Sequence, residues 1–300
     1  MTSVILAISI ALCPTVADSG WIGTSVFPKV DGVPLRDKTG KELMKWNRVA
    51  EVKSVDGDWL VIRHRQYPGP YGGRVLKSEV VTLADAVAFY TDKICANDKD
   101  AWGWSERGIA WGYKGDVDKA IKDFSEAIRL SPDASSFFLR GFAWLTRDEF
   151  RKALADLNNA VRLDPKNAAA LKYRGASWHG LGNDDKALND LNESIRLAPK
   201  EAESLKFRGV VWAKKKEIEK ALKDFGEAIR LDPGDAEIFF NRGVLWEEEG
   251  ECEKAMRDYT EAIKLDPNDP RAFVNRGLLW RKKNKLDKAQ GRSVKSRPRL

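Results

Sequence analysis

A mostly α-helical fold, an array of helical hairpins behind a small all-β module, is what this 300-residue sequence predicts, and three observations predict it. The string Arg-Gly-x-x-Trp occurs six times: RGIAW (107–111), RGFAW (140–144), RGASW (174–178), RGVVW (208–212), RGVLW (242–246) and RGLLW (276–280). Its glycines are spaced by 33 residues once and then by 34 four times. A fixed period of that length marks a repeated supersecondary unit rather than one continuous core. Upstream, residues 21–82 alternate apolar and polar positions between frequent turn strings, the period-two pattern of strands.

In chain order, the first residues, MTSVILAISIALCPTVADSG, read as a secretory leader over residues 1–17. Val4 to Val16 is apolar apart from Ser9, Pro14 and Thr15, too short to span a bilayer, and Thr15-Val16-Ala17 offers a small-residue cleavage site. The expected location is periplasmic or secreted. The segment carries no Lys or Arg before its apolar run, and a chain whose N-terminus is not a leader would stay in the cytoplasm. No other segment is long and apolar enough to be a transmembrane span.

Residues 18–84 make the all-β module. RVAEVKSVDGDWLVIR (48–63) reads as two strands joined at Asp56-Gly57, and GGRVLKSEVVTL (72–83) as a further strand and an exit turn. With VPLRD, DGDWLVI and GRVLKSEVV in that order, the module resembles a small bacterial SH3-like β-barrel; Arg74 stands where that family often has an aromatic. Asp37-Lys38-Thr39-Gly40 resembles the phosphorylated stretch of ion-pumping ATPases, but Lys41 follows where that family has Thr, so a turn is expected. DAVAFYTDKICANDKD (85–100) returns to helical spacing. Ala86, Tyr90 and Ile94 lie one period before Ala120, Phe124 and Ile128, so this segment is expected to be a lone second helix that links and caps the array.

Residues 101–290 hold five full repeats and a partial sixth. In each, a first helix (A) carries the Gly and Trp. A second helix (B) carries Ala120, Ala153, Ala187, Ala221, Ala255 or Ala289, twelve residues after its glycine. Gly and Ala on facing helices let two backbones approach closely. Pro132, Pro165, Pro199, Pro233 and Pro267 end each helix B, because proline cannot continue it. Each helix B is apolar on one face only, as in Ala221, Leu222, Phe225, Ala228 and Ile229, so units must stack to bury it. Trp111, Trp144, Trp178, Trp212, Trp246 and Trp280 are expected in the core.

FFNRGVLWEEEGECEKAMRDYTEAIKLDP (239–267) resembles the bacterial tetratricopeptide pattern, with Trp where that family usually has Tyr. The resemblance implies a right-handed solenoid whose A helices line a concave groove for peptides or proteins. Repeat 2 departs from the pattern: TRDEF stands where repeat 1 has KGDV, so the turn glycine is missing. Two sets of residues follow from the register. Arg107, Arg140, Arg174, Arg208 and Arg242 are expected to pair with Asp123, Asp156, Asp190, Asp224 and Asp258, each fifteen residues after a glycine. Positions −6, −3, +1 and +5 from each glycine share one face of helix A. On that face Trp102, Tyr113, Phe138 and Phe142 offer an apolar anchor site, Ile109, Val210 and Phe240 line the rest of the groove, and Lys172, Lys206 and Lys214 would steer an acidic stretch of the same ligand. The +1 residues are all apolar, which excludes the tail-carboxylate clamp of the chaperone-binding subfamily, since that clamp needs Asn there.

Catalysis has little to draw on. The chain has two histidines, His64 and His179, neither at ligand spacing from a Cys or carboxylate, so no metal, no cofactor and no catalytic triad is expected. Cys13, Cys95 and Cys252 make no disulfide framework. The formal charge of +7 is local: residues 280–300 hold nine Lys/Arg against Asp287, and the remainder sums to −1, so nucleic acid is not the expected partner. The array is expected to fray into a basic tail over residues 291–300. The expected function is that of a non-enzymatic adaptor for a protein or peptide. The alternative is a cell-envelope module whose barrel binds cell-wall material while the array recruits a partner.

Overall fold

Residues 25–29, 33–36, 42–46, 50–56, 59–63 and 72–289 are described by the computed structural model. The expected leader, the turn at 37–40, His64 and the tail at 291–300 lie outside them. The chain divides into two compact units, residues 1–177 and 178–300.

The first unit begins with β1 (Ser25–Pro28), β2 (Val33–Arg36), β3 (Glu42–Trp46), β4 (Ala50–Asp56), β5 (Trp59–Arg63), β6 (Gly72–Leu76) and β7 (Val80–Thr82). Among the described residues they form one antiparallel sheet in the order β3-β2-β6-β5-β4-β1-β7. β4 and β5 pair in antiparallel register with Asp56 opposite Trp59. Residues 72–83 differ from the single strand read in the sequence. β6 pairs with β5 and β2; a 3-10 turn at Lys77–Glu79 then carries the chain to β7, which pairs with β1. The reason is burial. Val81 shares an apolar cluster with Phe27 of β1 and with Ala86, Tyr90 and Ala110, which a continued β6 would not reach.

α1 (Leu83–Ala96) starts directly after β7, with the Thr82 hydroxyl accepting the Asp85 N–H. The Tyr90 hydroxyl donates to the Pro28 carbonyl and so ties α1 to β1. Hairpins follow: α2 (Ala101–Tyr113) with α3 (Val117–Leu130), then α4 (Ala134–Leu145) with α5 (Phe150–Leu163), then α6 (Ala168–Gly180), within which the unit boundary falls. The second unit continues with α7 (Asp184–Leu197), α8 (Ala202–Lys214), α9 (Ile218–Leu231), α10 (Ala236–Glu248), α11 (Cys252–Leu265) and α12 (Pro270–Ala289). Aspartate side chains cap α2, α3, α4 and α10 from Asp100, Asp116, Asp133 and Asp235, satisfying free N–H groups of the first turn.

Close approach explains the glycines. A Cβ on Gly108, Gly141, Gly209 or Gly243 would lie 2.6, 2.9, 2.7 or 2.8 Å from the side chain of Phe124, Leu157, Phe225 or Tyr259 on the paired helix B. The turn from A to B needs a left-handed residue, and Gly115, Asp148, Gly182, Lys216 and Gly250 all have positive φ. The next residue's N–H then bonds the Trp carbonyl, as Asp116 does to Trp111 and Glu217 to Trp212. Repeats 2 and 4 thus make the same turn without glycine. Among the described residues, no helix is long and apolar enough to cross a membrane.

Candidate functional site

Arg107, Arg140 and Arg208 of the repeated string each span three helices. Arg107, Arg140, Arg208 and Arg242 donate through Nε and Nη2 to both oxygens of Asp123, Asp156, Asp224 and Asp258 at 2.7–2.8 Å. These carboxylates are 4–5% exposed. The Asp123 hydrogen bond raises the Arg107 pKa above its ordinary value. Arg174 and Asp190 fall on opposite sides of the unit boundary. The third helix is the preceding helix B. Nη1 of Arg107, Arg140, Arg174, Arg208 and Arg276 donates to Thr91, Ser125, Asn158, Asn192 and Thr260. Four of these acceptors lie sixteen residues before the arginine and Ser125 fifteen before; for Arg242 the position sixteen before is Gly226, which has no side chain to accept. The arrangement fixes register between hairpins, because a buried pair that is broken leaves an uncompensated charge.

The tryptophans correct the sequence reading. Each is half-buried rather than core, and lysines cover outer ring faces. Lys119, Lys152, Lys186, Lys220 and Lys254 place Nζ 4.2–4.6 Å from the ring centroids of Trp111, Trp144, Trp178, Trp212 and Trp246. Such cation–π contacts contribute about 0.5–1 kcal/mol at exposed sites. A signal existed in the sequence. Lys precedes the repeat alanine every time, a regularity that looks like solvation until the tryptophan below it is seen.

The expected groove residues separate into groups. Trp102 is a packing residue: its ring meets Tyr90 of α1 edge-on at 5.6 Å, with the Lys93 ammonium 4.8 Å from it. Tyr113 is 39% exposed, its ring 5.9 Å from Phe27 of β1. Ile109 packs against both neighbouring apolar clusters of its unit. Phe138 and Phe142 instead stack on each other at 6.4 Å, and Tyr173 of α6 closes over them at 6.0 and 4.9 Å. The sequence reading missed Tyr173, which stands two residues before the repeat glycine, off the face used to choose candidates. Lys172 is buried, its ammonium 4.6 Å from the Tyr173 ring.

In the second unit, Lys206 is not available to steer a ligand. It is 7% exposed, and Nζ bonds Asp235 at 2.9 Å and Glu237 at 2.7 Å. Burial lowers its pKa, but the Glu237 and Asp235 carboxylates outweigh burial and hold the ammonium above its ordinary value. Lys214 is exposed and pairs with Asp184 at 3.2 Å. Val210 packs on the cluster around Phe225, and Phe240 lies against Tyr259 with the Arg271 guanidinium 4.7 Å above it. Among the described residues, no three His, Cys, Asp or Glu side chains gather as a metal site.

Comparisons with known proteins agree with this repeat geometry. Family models described as tetratricopeptide repeat match residues 101–134, 143–202 and 180–236, and one described as TPR repeat matches residues 248–289. Together they cover more than half of the chain. No curated protein matches the sequence. Among solved structures, the chain is similar to TTC0263, a thermophilic TPR protein of Thermus thermophilus. The likeness has 21% identity and covers 60% of this chain and 98% of that one, with a TM-score of 0.53. It is also similar to the Cut9–Hcn1 hetero-tetramer of APC/C, at 16% identity and a TM-score of 0.61, over 66% of this chain and 39% of that one. Likenesses at such identity show the fold alone. On the repeat geometry and the matched repeat models, the chain is a tetratricopeptide-repeat protein.

Proposed function

We propose that this chain is a non-catalytic scaffold that holds a protein or peptide partner on the aromatic patch of Phe138, Phe142 and Tyr173. The patch itself carries the reading. All three rings are half-buried: Phe138 and Tyr173 pack on the cluster around Leu145, Ala153 and Leu157, and Phe138 and Phe142 keep part of their surface accessible. Rings held in this way give a large contact area at little entropic cost, which suits an apolar anchor of an extended or helical peptide. Trp102, Val210 and Phe240 pack on apolar clusters of their own and are not part of the patch. The same proposal takes residues 1–17 as an export leader and residues 18–84 as an SH3-like module, both on the strength of their sequence.

The test is co-purification of the full chain from its native host, identification of the partner by mass spectrometry, and titration of that partner. Phe138→Ala with Phe142→Ala should weaken binding at least tenfold while the circular dichroism spectrum stays native. Unchanged affinity in the folded double variant ends the reading.

A further inference from the structure

α12 has the sequence of a helix A and the surroundings of half a hairpin. Phe273, Val274 and Leu278 are 36, 56 and 50% exposed, and a Cβ built on Gly277 meets nothing within 4 Å. Val274 and Leu278 flank Gly277 on one face, and Phe273 lies one turn before it. Arg276 keeps its bond to Thr260 on the preceding helix B, and no ion pair to it occurs among the described residues.

Four other hairpins in this chain specify what such a face accepts. Helix B presents Asp followed by a bulky apolar residue: Asp123-Phe124, Asp156-Leu157, Asp224-Phe225 and Asp258-Tyr259. The Asp closes on the arginine and the next side chain fills the space over the glycine. Buried alanines stand three residues to either side of this pair, Ala221 and Ala228 around Asp224-Phe225 for example. In the sequence after α12 the corresponding pair is Arg292-Ser293, which offers neither a carboxylate nor an apolar side chain.

We propose that the exposed face of α12 docks an amphipathic helix of another protein, one with the pattern Ala-x-x-Asp-Φ-x-x-Ala, where Φ is Phe, Tyr or Leu. Charge selects the partner. α12 carries seven basic residues and one acid, so an acidic helix is attracted. A second copy of this chain would bring the same basic helix, and the four Asp-Φ pairs just described are committed within their own hairpins. This site lies in the second unit, apart from the aromatic patch of the first, and stands or falls independently of it.

The experiment titrates the full chain into a fluorescein-labelled peptide of residues 217–233, EIEKALKDFGEAIRLDP, and reads anisotropy. Saturable binding is expected. Gly277→Leu, which fills the space over the glycine, should weaken it at least tenfold. A peptide with Asp224→Arg should also bind at least tenfold more weakly to the unchanged chain and regain affinity for the Arg276→Asp chain. Deleting residues 291–300 should leave the affinity within twofold. The proposal is overturned by any of four results: no saturable binding; equal binding by native and Gly277→Leu chains of the same circular dichroism; no recovery in the charge-exchanged pair; or a tenfold gain on the deletion, which would make the chain's own end the occupant. Dimerisation that Gly277→Leu abolishes would overturn it too, in favour of a second copy.

Discussion

RGVVW in α8 and RGLLW in α12 differ by two aliphatic residues, yet the same glycine has opposite surroundings. Gly209 lies against Phe225, which is 1% exposed, at a distance that forbids any side chain. Gly277 faces open space. α8 ends at Lys214 and the chain turns at Lys216, whereas α12 runs helical through residue 284, the position equivalent to that turn. The string therefore does not encode a packed glycine by itself. It encodes one only where an Asp-Φ helix follows to occupy the space.

Alanine at the two glycines should separate these situations most strongly. At Gly209 the new methyl must displace a buried ring, and overpacking of this kind costs about 1–3 kcal/mol. At Gly277 nothing resists, and alanine in a helix gains about 0.5–1 kcal/mol over glycine. Urea unfolding should show a lowered midpoint for Gly209→Ala. Amide exchange in α12 should slow for Gly277→Ala, because terminal repeats open separately from the rest. Destabilisation of both by the same amount would mean that α12 is packed like α8.

A middle-sized effect is expected at Gly226. Arg242 there lacks the third-helix partner that Arg140 finds in Ser125, and a Cβ on Gly226 meets nothing within 4 Å. Ser125 also donates to the Ile121 carbonyl, which orients its oxygen toward the arginine. Gly226→Ser should raise stability by about 1 kcal/mol, the sum of better helix propensity and one hydrogen bond to a charged donor. Gly226→Ala supplies the control, since it gains the propensity and not the bond. A Ser variant less stable than the Ala variant by the propensity difference of about 0.5 kcal/mol would show that the third-helix contact contributes nothing.

Much of this was legible in the letters. Period, helix pairing and the Arg and Asp positions recur in register, and recurrence of local packing is what a sequence displays best. The geometry of surfaces was less legible. Lys206 and Lys214 sit eight residues apart in one helix and read alike, but Asp235 and Glu237, from the next helix A, bury the first and leave the second in solvent. Trp102 and Phe138 occupy chosen groove positions in successive repeats. The first is covered because α1 and β1 lie beside it, neighbours that belong to no repeat. The side chains misjudged were those whose surroundings come from another element, be it the β module, the paired helix or the next repeat.

The smallest contrast lies in the turn. Lys216 adopts φ 62°, a left-handed conformation that costs a residue with a Cβ about 1 kcal/mol or more and glycine almost nothing. Lys216→Gly should therefore stabilise the protein by about 0.5–1 kcal/mol. The substitution also removes the ion pair to Glu248, but with these side chains 72 and 50% exposed the pair contributes about 0–1 kcal/mol, and less in salt. The gain should thus be larger at 1 M than at 0.1 M sodium chloride, which distinguishes relief of backbone strain from a change in charge. Glycine at residue 284 should have the opposite sign, because Asn284 lies in continuous helix and glycine there costs about 0.3 kcal/mol relative to asparagine. Thermal melts of Lys216→Gly and circular dichroism with amide exchange on Asn284→Gly would measure both. Stabilisation by Asn284→Gly would show that α12 turns where α8 does and that a sixth helix B forms after it. The open face at Gly277 would then be closed from within the chain.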